Sequence, residues 1–408
     1  MSTATATPTP LPRSFVSLAW SNLAAQSAEQ LSLAATPIVA VLALNAGPGE
    51  IGALATVQTL PFLLLSIPLG LLADRGSRRL LMVAAEALRA LSLFGLLALV
   101  LLGQVSIVGL ALLGFFGAVG TVGFSVAAPS LVPVLVPREA LAQANGRLEL
   151  ARSAAFAAGP ALAGALVSWA GGSAAFTIAA VLSVTAVGLL WRIVEPVRER
   201  AAPRHPLLEL QDGAHLVWHH DLLRPILLTA VAWNISWFVL QAAYVPYAVR
   251  ALGLSASGVG ITLACYGVGM VFGALLAPRI VGAMAFGRAI QFGPAMSVLA
   301  SLTIVATLVL PAAALAGFGF FLFGAGPIIW TITSTTLRQT VTPSGRAPVL
   351  TARKIAETRP LGAALGGIVG AAWGEPACLV LAFAGFVVQA LVITCSAVRS
   401  LQRLPAAA

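Results

Sequence analysis

The chain has 408 residues, 59% of them hydrophobic and 9% charged, where an ordinary soluble domain has roughly 25% charged residues. So little charge cannot solvate one water-soluble globule, and the chain belongs in lipid. A formal net charge of +10 would suit nucleic acid only if cations and aromatics shared a face; here the cations are scattered between apolar runs, which excludes that partner.

Taken in order, the polar, Pro-rich start MSTATATPTPLPRS runs into a full-length apolar span, without the short apolar core and cleavage site of a signal peptide, so the N-terminus is expected to be retained. A bilayer core about 30 Å thick needs roughly 20 apolar residues per helix. Spans of that kind fall near 15–44, 49–73, 80–102, 106–135, 141–169 and 173–194. After the polar stretch 195–221, a second set falls near 222–249, 256–281, 289–310, 312–337, 347–373 and 376–398. This predicts an all-α membrane protein of twelve transmembrane helices in two pseudo-symmetric six-helix bundles, 1–194 and 222–408, joined by a linker at 195–221.

All 4 His, namely His205, His215, His219 and His220, lie in the linker. With Leu208, Leu216 and Trp218 they read as an amphipathic helix on the inner membrane surface, not as a metal site. Cys265, Cys378 and Cys395 are isolated and predict no disulfide or thiol chemistry. No cofactor is implied.

Lys and Arg in short loops favour the cytoplasmic side. Arg13, Arg75, Arg78, Arg79, Arg138, Arg192, Arg198, Arg200, Arg204, Arg224, Arg279, Arg288, Arg338, Arg346, Arg399 and Arg403 all fall on one side; Arg250 alone sits in an opposite loop. A multi-pass inner-membrane protein with both termini cytoplasmic is therefore expected. A faint repeat links GLLADR at 70–75 to ALLAPR at 274–279 and Trp169 to Trp373 at one common offset. Two six-helix halves related by an axis along the membrane normal form a transporter plan.

The segment Gly70-Leu-Leu-Ala-Asp-Arg-Gly-Ser-Arg-Arg79 resembles the signature loop of the major facilitator superfamily, with a degenerate copy at 274–288. AAGPALAG at 157–164 looks like its Gly-Pro antiporter motif. The runs PSLVPVLVPREALAQANGRLELARS and LWRIVEP through WHHDLLRPILL resemble its enterobactin-exporter-like branch, the transmembrane secretion effectors. The resemblance covers essentially the whole chain. It implies two bundles rocking about a central cavity and proton-driven export of a small organic molecule such as a siderophore, drug or amphiphilic metabolite. One departure stands out: residues 106–135 carry no charge, whereas many proton antiporters of the superfamily have an Arg in that span.

In the signature loop, Gly70 is expected to permit close helix approach and Gly76 a tight turn, while Asp74, Arg75, Arg78 and Arg79 form gate ion pairs. The resemblance implies that Asp74 faces the N-terminus of span 11, where a helix dipole favours a carboxylate. Glu29, flanked by Gln26 and Gln30, is an intramembrane carboxylate with no basic neighbour in sequence, and it is expected to bind a proton, a cationic substrate group, or both in competition. Glu86 and Arg89, at i and i+3, read as a self-compensating pair.

Arg147, Glu149 and Arg152 in span 5, and Arg353, Lys354, Glu357 and Arg359 in span 11, read as ion pairs between bundles at the inner gate; Glu357 or Arg359 is the candidate to reach substrate. Trp233, Asn234, Trp237, Gln241 and Tyr244 form a stripe suited to an aromatic or amphiphilic solute. Gly159, Pro160 and Gly164 are expected to narrow and kink span 5.

A small-molecule substrate, protons and membrane lipid are the implied partners, with a monomer as the default. No Walker-type phosphate loop occurs, which excludes ATP hydrolysis within this chain. An uptake symporter or lipid flippase of the same architecture is the alternative. An intramembrane enzyme is more remote, because the spans contain no His, GxSxG, HExxH or paired aspartates, and a sensor lacks a signalling domain.

Overall fold

In hydrocarbon every backbone N–H and C=O must be satisfied internally, and an uninterrupted apolar run does so as a helix. The computed structural model describes residues 12–137, 140–195, 215–341 and 358–403, without the side chains of Asp74, Ala142 and Gln339. Its ten long helices are α1 Arg13–Leu44, α2 Pro48–Arg75, α3 Arg78–Leu101, α4 Ile107–Leu135, α5 Leu141–Trp191, α6 Leu223–Arg250, α7 Ala256–Ala283, α8 Phe286–Ala306, α9 Ala313–Val341 and α10 Arg359–Thr394. All ten are long and apolar enough to cross a membrane. Hydroxyl caps set several starts: the Ser77, Ser106 and Ser255 side chains accept from the backbone N–H of Leu80, Gly109 and Gly258.

Among the described residues ten long continuous helices stand where twelve spans were expected, and α5 and α10 each fold back on themselves. At 51 residues, a straight α5 would be about 75 Å long, far beyond any bilayer. It is interrupted at Gly171 (φ 78°, ψ 177°), as α10 is at Gly374 (φ 78°, ψ 179°). Neighbours establish the reversal. The first limb of α5 rises beside α1, with Leu148 O accepting from Asn22 and Gly172 packed on Val39. The return limb descends beside α3, where the Ser183 hydroxyl reaches the Glu86 carboxylate and Ile193 O accepts from Arg79. α10 does the same along α6: Gly362 abuts Ile235, Glu375 meets Arg250 at the far end, and Gly385 comes back to Ser236. The breaks expected near 170–172 and 374–375 coincide with these reversals.

Helices in lipid gain little from apolar burial against one another, so small residues that admit close approach carry the packing. The early half (α1–α5) meets the late half (α6–α10) on such surfaces. A Cβ on Gly52 of α2 would fall 2.3 Å from Gly367 Cα of α10, and one on Gly164 of α5 would fall 2.4 Å from Ala256 O of α7. These junctions lie toward the face opposite the chain termini, the distal face. One continuous buried core crosses between the halves there, including Val41, Ala46 and Ile51 with Tyr247, Ala248 and Val259. On the terminal face the cores are separate: Phe15, Leu18, Leu190 and Ile193 form one, and Ile226, Ile290, Leu337 and Ile393 the other. Among the described residues the halves therefore share a core distally and keep separate cores on the terminal side. Outward-facing apolar side chains such as Leu91, Leu150, Leu275 and Ile368 are exposed, as lipid-facing positions are.

The amphipathic helix expected at 195–221 falls largely outside the described residues. Residues 215–219 form a helical turn in which Val217 is buried beside Leu223 and Leu227, while Trp218 stays exposed under the Arg224 guanidinium.

Candidate functional site

A cavity of about 480 Å³ lies between the halves, with a polar wall from α1–α4 and an aromatic wall from α6, α7 and α9. On the polar side α1 supplies Glu29 and Gln30, α2 Gln58 and Thr59, α3 Arg89 and Ser92, and α4 Thr121. Gln26, one turn earlier than Gln30, does not line it.

Glu29 has no basic neighbour in sequence, yet in space it lies 3.9 Å from Arg89. This partner, sixty residues away in the chain, was not legible from local spacing. The guanidinium is heavily engaged elsewhere. Nη1 lies 3.0 Å from Glu86 Oε2 and donates to Ala25 O at 3.0 Å, and Nη2 donates to Thr121 Oγ1 at 3.0 Å. The expected Glu86–Arg89 pair therefore forms, fully buried, but Arg89 also ties α3 to α1 and α4. α4 carries no charge of its own, and it approaches closely enough to receive Arg89 because Gly120 presents no Cβ, which would fall 2.4 Å from Ala85 O.

Of the aromatic stripe on α6, Trp233, Asn234, Trp237 and Gln241 line the cavity. The Trp233 and Trp237 rings stack with centroids 5.3 Å apart and planes 9° apart. Tyr266 of α7 lies 5.1 Å from Trp237, and the edges of Phe320 and Phe323 hold Trp237 from α9 at 6.0 and 5.2 Å. Tyr266 and Phe320 also line the cavity; their spans offered no pattern that singled them out. Tyr244 does not line it, contrary to expectation: it is fully buried behind the wall, its hydroxyl donating to Thr262 Oγ1 at 2.6 Å. Arg359, at the start of α10, lines the cavity and lies 4.7 Å over the Phe62 ring. Glu357, Arg353 and Lys354 fall outside the described residues.

Of the ion pairs expected between bundles, the one described in span 5 stays within its own helix. Arg152 binds Glu149 of its own helix, Nε to Oε2 at 3.0 Å, and covers Phe156, so this pair joins no two halves. Arg147 is exposed. Gly159 gives room for Gln30, and Pro160 O and Gly164 pack on Gly260 of α7; the non-helical residue of α5 is Gly171, not this motif. The motif therefore acts through close approach.

In the signature loop Gly70 has ordinary space, the nearest atom to an added Cβ being Val126 Cγ1 at 3.6 Å. Gly76 is extended (φ −109°, ψ −172°), so no left-handed turn requires it. Arg75 is exposed, and the Asp74 side chain is outside the description. A residue not foreseen organises the loop. Glu195 accepts from Ser77 Oγ at 2.6 Å and from the backbone N–H of Arg78 and Arg79 at 3.2 and 3.1 Å. The Arg79 side chain reaches back to Ile193 O at 2.9 Å and lies 5.4 Å over Trp191. Burial raises the Glu195 pKa, but the hydrogen bonds from Ser77, Arg79 and Arg78 and the Arg78 charge outweigh it, and the net direction is down.

On the distal face a second unforeseen constellation spans the halves. Arg250, at the end of α6, donates to Asn45 O at 2.6 Å, Ala46 O at 3.0 Å and Glu375 Oε1 at 3.1 Å. Asn45 ends α1 in the left-handed conformation (φ 53°), leaving those carbonyls pointing outward.

The sequence profile described as Major Facilitator Superfamily matches residues 18–353. An uncharacterised MFS-type transporter of Sinorhizobium fredii (strain NBRC 101917 / NGR234) is 31% identical over 267 residues, 60% of this chain and 63% of the relative, so the match spans less than two thirds of that protein. A bacterial homologue of the iron transporter ferroportin in an inward-facing state superposes with a TM-score of 0.68 at 18% identity, covering 93% of this chain and 98% of that one. A bacterial homologue of the human lysosomal transporter Spinster, inward-facing and occupied, gives 0.72 at 15% identity, covering 93% and 95%. These structural likenesses concern the fold.

Proposed function

Because the chain belongs to the major facilitator superfamily, we propose that it is a secondary active transporter that exports a small organic molecule in exchange for protons by alternating access. Twelve membrane crossings in two six-crossing bundles, 1–194 and 222–408, follow if each limb of α5 and α10 crosses once; the glycine-hinged reversals at Gly171 and Gly374 support that count. The arginine bias favours both termini in the cytoplasm of the inner membrane, and the separate cores of the described residues on the terminal side support an inward-facing state. Membrane lipid is the solvent and a monomer the working unit.

One observation carries the coupling. Glu29, in the wall of a cavity between the halves, makes no hydrogen bond among the described residues and is 3.9 Å from its nearest cation. A carboxylate so situated in a membrane is costly unless it is protonated or paired, which suits a group that exchanges a proton for substrate. Export in preference to uptake rests on the resemblance to secretion effectors. The polar and aromatic walls match an amphiphilic solute.

The test is proton release by purified protein in detergent on adding siderophores and amphiphilic drugs. Release is expected in the native chain and is lost in Glu29→Gln. Ligand binding with unchanged proton release in Glu29→Gln overturns the assignment.

A further inference from the structure

Resting on the transporter reading, we propose that the Glu29 site takes an aromatic organic cation, and that Glu86 creates the site by holding the Arg89 guanidinium away from Glu29. The charges in closest contact on the polar wall are two carboxylates and one guanidinium, with Arg359 and Arg152 acting on Glu29 from farther off. Arg89 approaches Glu86 to 3.0 Å and gives its remaining hydrogen bonds to Ala25 O and Thr121 Oγ1, both at 3.0 Å. Its 3.9 Å separation from Glu29 is beyond hydrogen-bond reach. Glu86 is fully buried, whereas 17% of the Glu29 side chain is exposed, in the cavity wall. The unbalanced negative charge of the trio therefore rests on the carboxylate that a solute can reach.

The opposite wall selects the rest of the ligand. Stacked Trp233 and Trp237, with Tyr266 tilted against them, offer indole and phenol faces, which attract cations and stack on aromatic groups. Among the described residues the other cavity-lining cation is Arg359, which lies over the Phe62 ring, and the nearby Arg152 is bound to Glu149 and covers Phe156. A cavity of about 480 Å³ lies within the range for small organic ligands. Protonation of Glu29 removes the charge that holds the cation, so proton and cation compete for one carboxylate.

Tetraphenylphosphonium and tetraphenylborate, alike in shape and opposite in charge, are the probes, with binding to the purified full chain in detergent followed by tryptophan fluorescence. The native chain should prefer the phosphonium by about ten-fold, the scale of one desolvated cation contact. Glu29→Gln should abolish the preference and Glu29→Asp keep it. Glu86→Gln, remote from the ligand, should weaken phosphonium binding several-fold by letting Arg89 pair with Glu29, and adding Arg89→Gln to it should restore the preference.

Equal binding of both ions by the native chain, a preference that survives Glu29→Gln, or a folded Glu86→Gln variant that binds as the native chain does would overturn the proposal. If Glu86→Gln does not fold, the Glu29→Gln and Glu29→Asp pair decides the site. Glu29-dependent binding without movement of the cation across vesicles overturns the transporter reading alone. Proton exchange with some other solute, in a chain with no phosphonium preference, overturns this proposal alone.

Discussion

Glu195 does for the signature loop what a capping side chain does for a helix. Its carboxylate accepts from Ser77 Oγ and from the first N–H groups of α3, where the positive end of the helix dipole adds to the attraction. Since its pKa is lowered on folding from the ordinary 4.5, its contribution is fully present above about that pH and disappears as pH falls through the lower folded value. Glu195→Gln should therefore lower the unfolding temperature in detergent at pH 7, and the gap to the native chain should shrink progressively as the pH is taken below 4.5. A gap that is constant with pH would mean that the carboxylate charge is not what is lost. Arg89 allows a sharper test. Removing it as Arg89→Ala strands the fully buried Glu86, and breaking a buried pair in this way costs about 3–5 kcal/mol, so a drop in thermal stability much larger than that of Glu195→Gln is expected.

The element scale turns on two glycines. With φ near +80° and ψ near 180°, Gly171 and Gly374 occupy a region essentially closed to other residues, at a cost of order 1–3 kcal/mol. A Cβ on Gly171 would meet nothing within 4 Å, so the cost of Gly171→Ala is torsional alone and should appear in full as lost thermal stability. Gly188 is equally open but has no positive φ, and Gly188→Ala should be neutral or stabilising by about 0.5–1 kcal/mol. The same contrast marks how much the sequence disclosed. Span limits and the breaks between 169 and 173 and after 373 were legible, because Gly, Pro and charge interrupt apolar runs there. The polar wall was half legible: an intramembrane Glu29 and the Trp233–Trp237 spacing are one-dimensional signals. The Glu29–Arg89 and Ser77–Glu195 contacts were not, since they depend on which helices become neighbours, and no local period encodes that. Tyr244 was misplaced for a related reason, as helical spacing assigns a face but not which part of that face a neighbouring helix covers.

For the whole molecule, the decisive asymmetry among the described residues is between a distal side with one core shared by the halves and a terminal side whose cores each stay within one half. Alternating access requires the distal junction to open, so whatever holds it must be strong enough to bias the equilibrium and weak enough to release. Arg250 has that character. It is 37% exposed and its pair with Glu375 20%, so the ion pair alone contributes about 0–1 kcal/mol. Its hydrogen bonds to Asn45 O and Ala46 O add a favourable cation at the C-terminus of α1, of about 0.3–1 kcal/mol. Together these amount to roughly a ten-fold bias. Lys cannot reproduce the fork that reaches the Asn45 and Ala46 carbonyls on one segment and Glu375 on another, so Arg250→Lys should behave much like Arg250→Ala. The readout is a cross-link. A Cβ at Gly49 would lie 3.0 Å from Ala371 Cβ across the junction, short of the roughly 3.5–4.5 Å of a disulfide, so with a slight opening of the contact Gly49→Cys with Ala371→Cys, in a chain whose native cysteines are replaced by Ser, should form one. In the Arg250→Ala background the cross-link should form several-fold more slowly, because the junction spends more time open. Once formed, it should abolish transport in either background, and reduction should restore it. Unchanged cross-linking on loss of Arg250 would assign closure to the glycine-lined contacts of α2 with α10 and α5 with α7, and leave Arg250 as a cap on α1.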